Sequence, residues 1–505
     1  MLTTPLLRIK ERITGPRGLW NIDNSWYGYV DEFKYTVGLA GLTGFGVGCC
    51  RPELLPSDIA ELPGTTNRFS PNYGNYVHLP SASIVCFLPA HYIDLQAPGD
   101  TNAPGYGTKV VISSTQSGNS VLAKAFRDGV GELAGVFVDK YQGSNVKPDG
   151  SGMPNSSDGL PGTLPDSGGV FSSRPLHWPV SAIAVSGTSY SPFSRCDSTA
   201  LNASATAPAD NLGGVWDLCQ SRGSDWYPLP IWTRIHLGYL ALAHSQALLD
   251  TNGSPLANAT VNAAWMDAAP YAPKGNNNNG FDINRTTLDF SRSDIGGAAA
   301  GGFAGETGRA FTGAARIGDF SATEHTTHNG QLCGIVDVNG NQWEVTPGLT
   351  NSTGNNTGYY AFSDLDDWTT VSSNADITGA TSVIQLAVDS SDDGVWWGND
   401  SAWVYLVPHT GGTYHPSSTW AANATRKAMA EFGLPRELGT SGTQDSVNIF
   451  GGDGLYKAHA NDLISRVGGY WGTGAAAGSF AVALESISTT SDSGIGARAS
   501  RYLLA

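Results

Sequence analysis

RVGGYWGTGAAAGSFAVAL, residues 466–484, sets two adjacent aromatics, Tyr470 and Trp471, in a run otherwise made mostly of glycine, alanine and serine. From Ser479 onward larger and smaller residues alternate, and a strand sends successive side chains to opposite faces. Phe480, Val482 and Leu484 then fall on one face, expected in the core. Ser479, Ala481, Ala483 and Glu485 fall on the other, expected to lie open to a ligand. Gly468, Gly469, Gly472, Gly474 and Gly478 permit tight turns and close backbone approach. Above that low floor Tyr470 and Trp471, with Thr473 beside them, are placed to act as contact groups, because an aromatic ring gives a large contact at small entropic cost. Trp471 has a second reading, as a core anchor.

The rest of the chain sets the context for that strand. Of 505 residues only 14% are charged, against roughly 25% in an average soluble domain. The 64 glycines approach twice the usual share of about 7%, so the chain reads as turn-rich with few long helices. The net charge of −16 and the lack of a Lys/Arg-rich cluster argue against a surface that tracks phosphates, which needs cations to release counterions. Nucleic acid is therefore not an expected partner. Arg8, Lys10, Glu11 and Arg12 interrupt the N-terminal segment where a signal peptide would be apolar, and no later run is apolar over the ~18 residues a membrane span needs. The chain is expected to be unprocessed and soluble, without membrane insertion. Six cysteines (Cys49, Cys50, Cys86, Cys196, Cys219 and Cys333) are too few for a disulfide framework and are expected as buried free thiols.

Along the chain, residues 1 to about 40 join LLRIKERI to an aromatic group, Trp20, Trp26, Tyr27, Tyr29, Phe33 and Tyr35, read as an attachment or trimerisation segment. Short β-type runs, SIVCFLPAHYI and KVVISS among them, then alternate with Gly, Pro and Asn turns. One long helix is predicted at WTRIHLGYLALAHSQALL, where Ile235, Leu237, Leu240, Ala241, Leu242, Leu248 and Leu249 form a broad apolar stripe. A second helix fits SSTWAANATRKAMAEFG, closed by Gly433 and Pro435.

Five stretches, taken in order, carry a family resemblance. SIVCFLPAHYI resembles the opening strand of the formylglycine-generating-enzyme-like branch of the C-type lectin fold, and GVFVDKYQGSN resembles that branch's next strand. YPLPIWTRIHLGYLALA is similar to its turn into a helix, and GIVDVNGNQWEV, residues 334–345, to its Gly-Asn-x-Trp-Glu element. The stretch 466–484, with IGARA at 495–499, resembles its closing Gly-Gly-x-Trp and Gly-Phe-Arg elements, departing at Val467, Tyr470 and Ala497. The resemblance implies an α+β, loop-rich and β-dominated fold with one or two helices. It implies residues 1–75 as an N-terminal attachment or oligomerisation segment and 76–505 as a lectin-like domain with long insertions at about 142–215 and 350–455. Trp343, Glu344 and Arg498 are expected to be structural.

The family has two uses. Its oxidases need reactive cysteines just after the Gly-Gly-x-Trp element, since a thiolate must hold copper and engage the substrate thiol. Here those positions are Gly472, Thr473, Gly474 and three alanines, and no cysteine follows Cys333. The other use is ligand display, as in phage tropism determinants and retroelement-diversified variable proteins, whose closing segment GGYWGTGAAAGSFAVAL matches closely. The resemblance therefore implies a non-enzymatic phage tail receptor-binding protein, in the virion and expected to be a homotrimer. Its partners would be a host cell-surface glycan or protein and other tail proteins. A virion structural or decoration protein is the alternative.

Other clusters are weaker. Glu324, His325 and His328 in EHTTHNG sit in a Thr/Asn-rich loop, not at the i, i+4 spacing of a helical metal pair. Asp389, Ser391, Asp393, Gly394 and Asp400 fall at positions 1, 3, 5, 6 and 12 of a calcium-loop template, with Asp389, Asp393 and Asp400 as the metal candidates. Flanking helices are missing, and a solvated acidic turn explains them as well; no other cofactor is expected. Trp396, Trp397, Trp403 and Tyr405, with Asp364, Asp366, Asp367 and Trp368, suit either stacking on sugar rings or a packed insert core.

Overall fold

Ser83–Pro89 carries apolar side chains on both faces, and all its residues but Ile84 are buried. Such a strand belongs in the middle of a sheet. It pairs antiparallel with Asn75–His78 on one side and Gly131–Asp139 on the other. Gly131–Asp139 in turn pairs with the C-terminal strand Ala499–Leu504, which pairs with Tyr227–Pro228. Ile59–Glu61 closes the far edge, and Arg127–Asp128 adds to Gly131–Asp139, giving a seven-stranded sheet. Gly135 is required at its centre: a Cβ there would meet Phe87 Cζ at 2.4 Å and Leu88 O at 2.5 Å. Phe137 instead stacks edge-on to Tyr76 and tilted on Phe87.

The computed structural model describes residues 27–29, 46–96, 109–113, 116, 121–128, 131–146, 170–175, 179, 215–247, 327–329, 331–338, 340–351, 358–362, 383–387, 389–390, 395–396, 402–405, 431–432, 454–457, 463–470, 478–487 and 494–504. Among these the chain is β-dominated, with several sheets and one long helix, an α+β arrangement.

The second large sheet has six strands in the order Ala402–Tyr405, Gly454–Lys457, Val482–Ile487, Leu463–Val467, Trp343–Val345 and Ile495–Gly496. The long helix, Ile231–Ala247, packs against its Leu463–Val467 strand and against Tyr27–Tyr29 and Lys109–Ser113 of a four-stranded sheet. Its first eleven residues are buried on all sides, Arg234 and His236 included, so the apolar stripe seen in the sequence is only part of a wholly covered helix. Leu242 lies in the helix without a described side chain, and Leu248 and Leu249 lie outside the described residues. Of the second predicted helix only Glu431 and Phe432 are described, with Glu431 helical. A short helix at Val215–Gln220 was not predicted.

The expected segments are joined by pairing and hydrogen bonds. The division at residue 75 falls inside the strand Asn75–His78, whose neighbour Ile59–Glu61 is an integral sheet strand, because hydrogen bonding across Ile59↔His78 continues the same ladder. The insertion at 350–455 contributes two strands, Ala402–Tyr405 and Gly454–Lys457, to the six-stranded sheet. The insertion at 142–215 is tied back by Ser172, whose hydroxyl donates to Ser81 O at 2.9 Å, and by Ser173 N, which donates to Ser83 Oγ at 3.1 Å. Tyr27 belongs to a strand in register with Ser113 of its own chain; Trp20 and Trp26 lie outside the described residues.

Candidate binding face

The scaffold under the candidate face is a buried ionic network assembled from stretches far apart in sequence. Glu344 Oε1 accepts from Arg498 Nη2 at 2.7 Å and Gln142 Nε2 at 3.3 Å, and its Oε2 accepts from Arg234 Nε at 3.0 Å and Arg498 Nε at 3.2 Å. Beside it Asp139 takes a two-pronged bond from Arg222, at 2.6 and 2.9 Å, and the Ala499 N–H at 3.0 Å. Burial pushes the Glu344 carboxyl up, and the Arg498 and Arg234 charges outweigh it, holding the group below its ordinary value. Asp139 is raised by burial, against the pull of Arg222. Arg498 loses by burial and gains more from Glu344, so its affinity for the proton rises.

The loop before Glu344 explains why the arginines point inward. Asp337 and Asn341 adopt left-handed backbone (φ 60° and 70°), which breaks strand pairing and turns carbonyls into the interior. Arg498 Nη2 reaches Val336 O at 2.7 Å, Arg234 bonds Val338 O, and Gln142 Nε2 reaches Gln342 O at 3.1 Å. Gly468 leaves room for this arrangement, since a Cβ there would meet Arg234 Nη2 at 2.7 Å.

The strand Val482–Ile487 lies between two others, in register as Leu455↔Val482 and Tyr456↔Ala483 on one side and Val467↔Val482 and Arg466↔Ala483 on the other. Phe480 packs edge-on to Tyr239 of the long helix, ring centroids 5.4 Å apart, and Val482 and Leu484 are buried with it, as the alternation predicts. The opposite face is not open as expected. Ser479, Ala481 and Ala483 are fully buried, at 0% exposure, and of that set only Glu485, at 36%, is exposed. The reason is in the neighbouring strands. Ala481 and Ala483 belong to a core cluster with Trp343 and Val345, and half-buried Tyr456 and Tyr470 pack against it. Residues in register share a face, so the side chains of Tyr456 and Arg466 flank Ala483, and the alanines are small because close packing leaves them no more room.

What reaches solvent on this face is Glu485, with Tyr456 and Tyr470 half-buried, while Arg466 is buried. Tyr456, Ala483, Arg466 and Val345 form one cross-strand row, and Trp403 occupies the next register position on the edge strand. Arg466 donates to Glu485 Oε1 at 2.6 Å while its guanidinium lies 5.5 Å from the Trp343 ring centroid, a cation–π distance. Tyr470 stands at the end of the same face, half-buried. Trp471 and Thr473 lie outside the described residues. No protein-family model matches the chain, and no curated protein is significantly similar to it. The face is therefore read from its chemistry: half-buried rings that can stack on a ligand and a carboxylate, held by a buried guanidinium, that can accept hydrogen bonds from one. Sequence reasoning missed Tyr456 and Arg466. Arg466 begins the quoted stretch and pairs with Ala483 near its end, but its other partner strand, Trp343–Val345, lies elsewhere in the chain.

Asp389 and Ser390 pair with Trp396 and Val395 in a two-stranded hairpin, while Asp393 and Asp400 lie outside the described residues. Glu324 and His325 are likewise outside them, and His328 is buried with its Nδ1 accepting the Ile335 N–H at 3.0 Å. Among the described residues no group of three His, Cys, Asp or Glu side chains is placed to hold a metal ion. Cys49, Cys50, Cys86, Cys219 and Cys333 are free and buried; Cys196 is outside the described residues.

Proposed function

We propose that the chain is a phage tail receptor-binding protein of the C-type lectin fold, carried in the virion, that meets a host cell-surface glycan or protein at the rim formed by Tyr456, Tyr470 and Glu485. The observation that carries this reading is the convergence of the resembling stretches. Asp139 and Gln142, Arg234, Glu344 and Arg498 come from four of the five, and they meet in one buried network directly beneath the closing segment. Their meeting in one place supports the reading.

Thiol oxidation fits the chain poorly. Burial is the main cause that pushes the thiols of Cys49, Cys50 and Cys86 up to about 12, which keeps them protonated and unreactive at neutral pH. A ligand-display role asks nothing of them beyond packing.

The test is competition and location. Purified protein should block adsorption of the parent particles to host cells, and antibody against it should decorate the tail. Label spread over the capsid, with adsorption unaffected by excess protein, supports the decoration reading instead and overturns this one. Scattering should give the mass of a homotrimer, and a stable monomer removes that part of the proposal.

A further inference from the structure

Away from the binding face, three histidines from three separate segments are buried between the long helix and the four-stranded sheet. His91 lies just before the strand Tyr92–Gln96, His236 is on the helix, and His328 is in the loop at 327–329. His91 Nδ1 lies 3.0 Å from Pro89 O, and because a carbonyl only accepts, that nitrogen carries the proton. Its Nε2 is then a bare acceptor, and it directly faces His236 Nε2, which must be the donor. Phe126 closes the pair, its ring centroid 4.7 Å from His91 and 5.7 Å from His236. His328 accepts the Ile335 N–H at Nδ1, which fixes its own proton on Nε2.

A proton added to His236 at Nδ1 would leave its Nε2 donating to His91, so the cost of protonation is not a lost donor but a cation held in a covered pair of rings. Three charged side chains on the surrounding elements have partners outside the pair. Arg234 on the helix is bonded to Glu344, Arg127 is paired with Glu431, and Lys124 Nζ lies 4.7 Å from the Trp232 ring centroid. His328 adds only further repulsion to a charge on His236. We infer that the His91–His236 contact is an acid-sensitive latch, which holds the long helix against the turn entering the four-stranded sheet while both rings are neutral and is weakened once the buried pair must carry a charge. That sheet includes Tyr27–Tyr29, so a weakened latch would loosen the N-terminal strand from the helix that backs the closing strand.

Burial depresses His91 from 6.5 to about 4 and takes His236 well below its ordinary value, with His91 and His328 adding to the effect. Below 6.5 the unfolded chain then binds more protons than the folded one, so the latch is fully stabilising above 6.5 and is lost as the pH falls towards about 4.

The test uses the intact protein. Imidazole NMR titration should place both rings below 6.5, His91 near about 4. Amide exchange, corrected for intrinsic rate, should show residues 231–247 and 92–96 losing about tenfold or more protection on acidification relative to 131–139. His91→Gln, whose amide can accept from His236 and donate to Pro89 without taking a proton, should shrink that loss. Either ring titrating at or above 6.5 in the wild-type chain, or helix and central strand losing protection together, overturns the latch, and neither result depends on the variant folding.

Discussion

Two arginine–glutamate pairs occupy opposite faces of the six-stranded sheet. Glu344 is in register with Val467 and faces the helix, whereas Arg466, in register with Val345, faces away. Glu344 is fully buried and its two oxygens accept four hydrogen bonds from Arg234, Arg498 and Gln142. Glu485 is partly exposed and bonds Arg466 at 2.6 Å. The same two residue types thus serve as a fully buried joint on one side and as a pair with one solvated member on the other, and what separates them is that water reaches Glu485 but not Glu344. A buried pair loses heavily when one partner is removed, because the other charge is left without compensation; an exposed pair is backed by solvent.

The contrast breaks most decisively at Glu344. Glu344→Ala strands two buried guanidiniums and should destabilise the chain by about 5 kcal/mol, read as lost folded yield or a collapsed urea midpoint. If it unfolds no more easily than Glu485→Ala, the joint is not architectural. Phe480→Ala is next. It empties a buried aromatic site against Tyr239 and should cost about 3 to 5 kcal/mol. A cost below about 1 kcal/mol would mean the closing strand is not anchored to the helix.

Ala483→Arg sharpens the comparison because the sequence and the structure disagree about it. Alternation alone puts Ala483 on a face open to a ligand, where an added arginine would weaken adsorption and leave the fold intact. Its full burial between Tyr456 and Arg466 instead predicts overpacking beside an existing cation, with a loss of about 3 kcal/mol in a thermal or urea melt. A stable variant would return Ala483 to the ligand-facing set.

That disagreement marks what was legible. The period-two pattern identified the strand and its Phe480 face, the apolar stripe identified the helix, and the motif residues Glu344 and Arg498 were read as structural, as their burial bears out. Alternation of large and small cannot say whether the small face is open or roofed. Here the roof includes Tyr456, whose strand reaches the sheet through a parallel pairing that leaves no local pattern. The helix shows the same limit: the apolar stripe says nothing of Arg234 and His236, which are buried too, with partners at Glu344 and His91. The pairing across residue 75 was not legible because Ile59–Glu61 is too short for it to show in sequence.

The smallest effect on stability is expected at the rim, where it separates folding from binding. Glu485→Gln removes a charge from a partly exposed pair and keeps an oxygen able to accept from Arg466, so melting should shift by no more than about 1 kcal/mol. Tyr470→Ala should cost more stability than Glu485→Gln, because the ring is half-buried against the core cluster. Its main effect should still be on adsorption, since loss of a central aromatic contact weakens binding by about 2 kcal/mol, roughly thirtyfold. Combining the two separates a shared ligand from separate roles. If one ligand spans ring and carboxylate, the double variant should show losses in adsorption that do not add, because neighbouring groups on one ligand are coupled. Independent losses, or none at Glu485, would confine the contact to Tyr470 and leave Arg466 and Glu485 as a pair that only fixes the edge of the sheet.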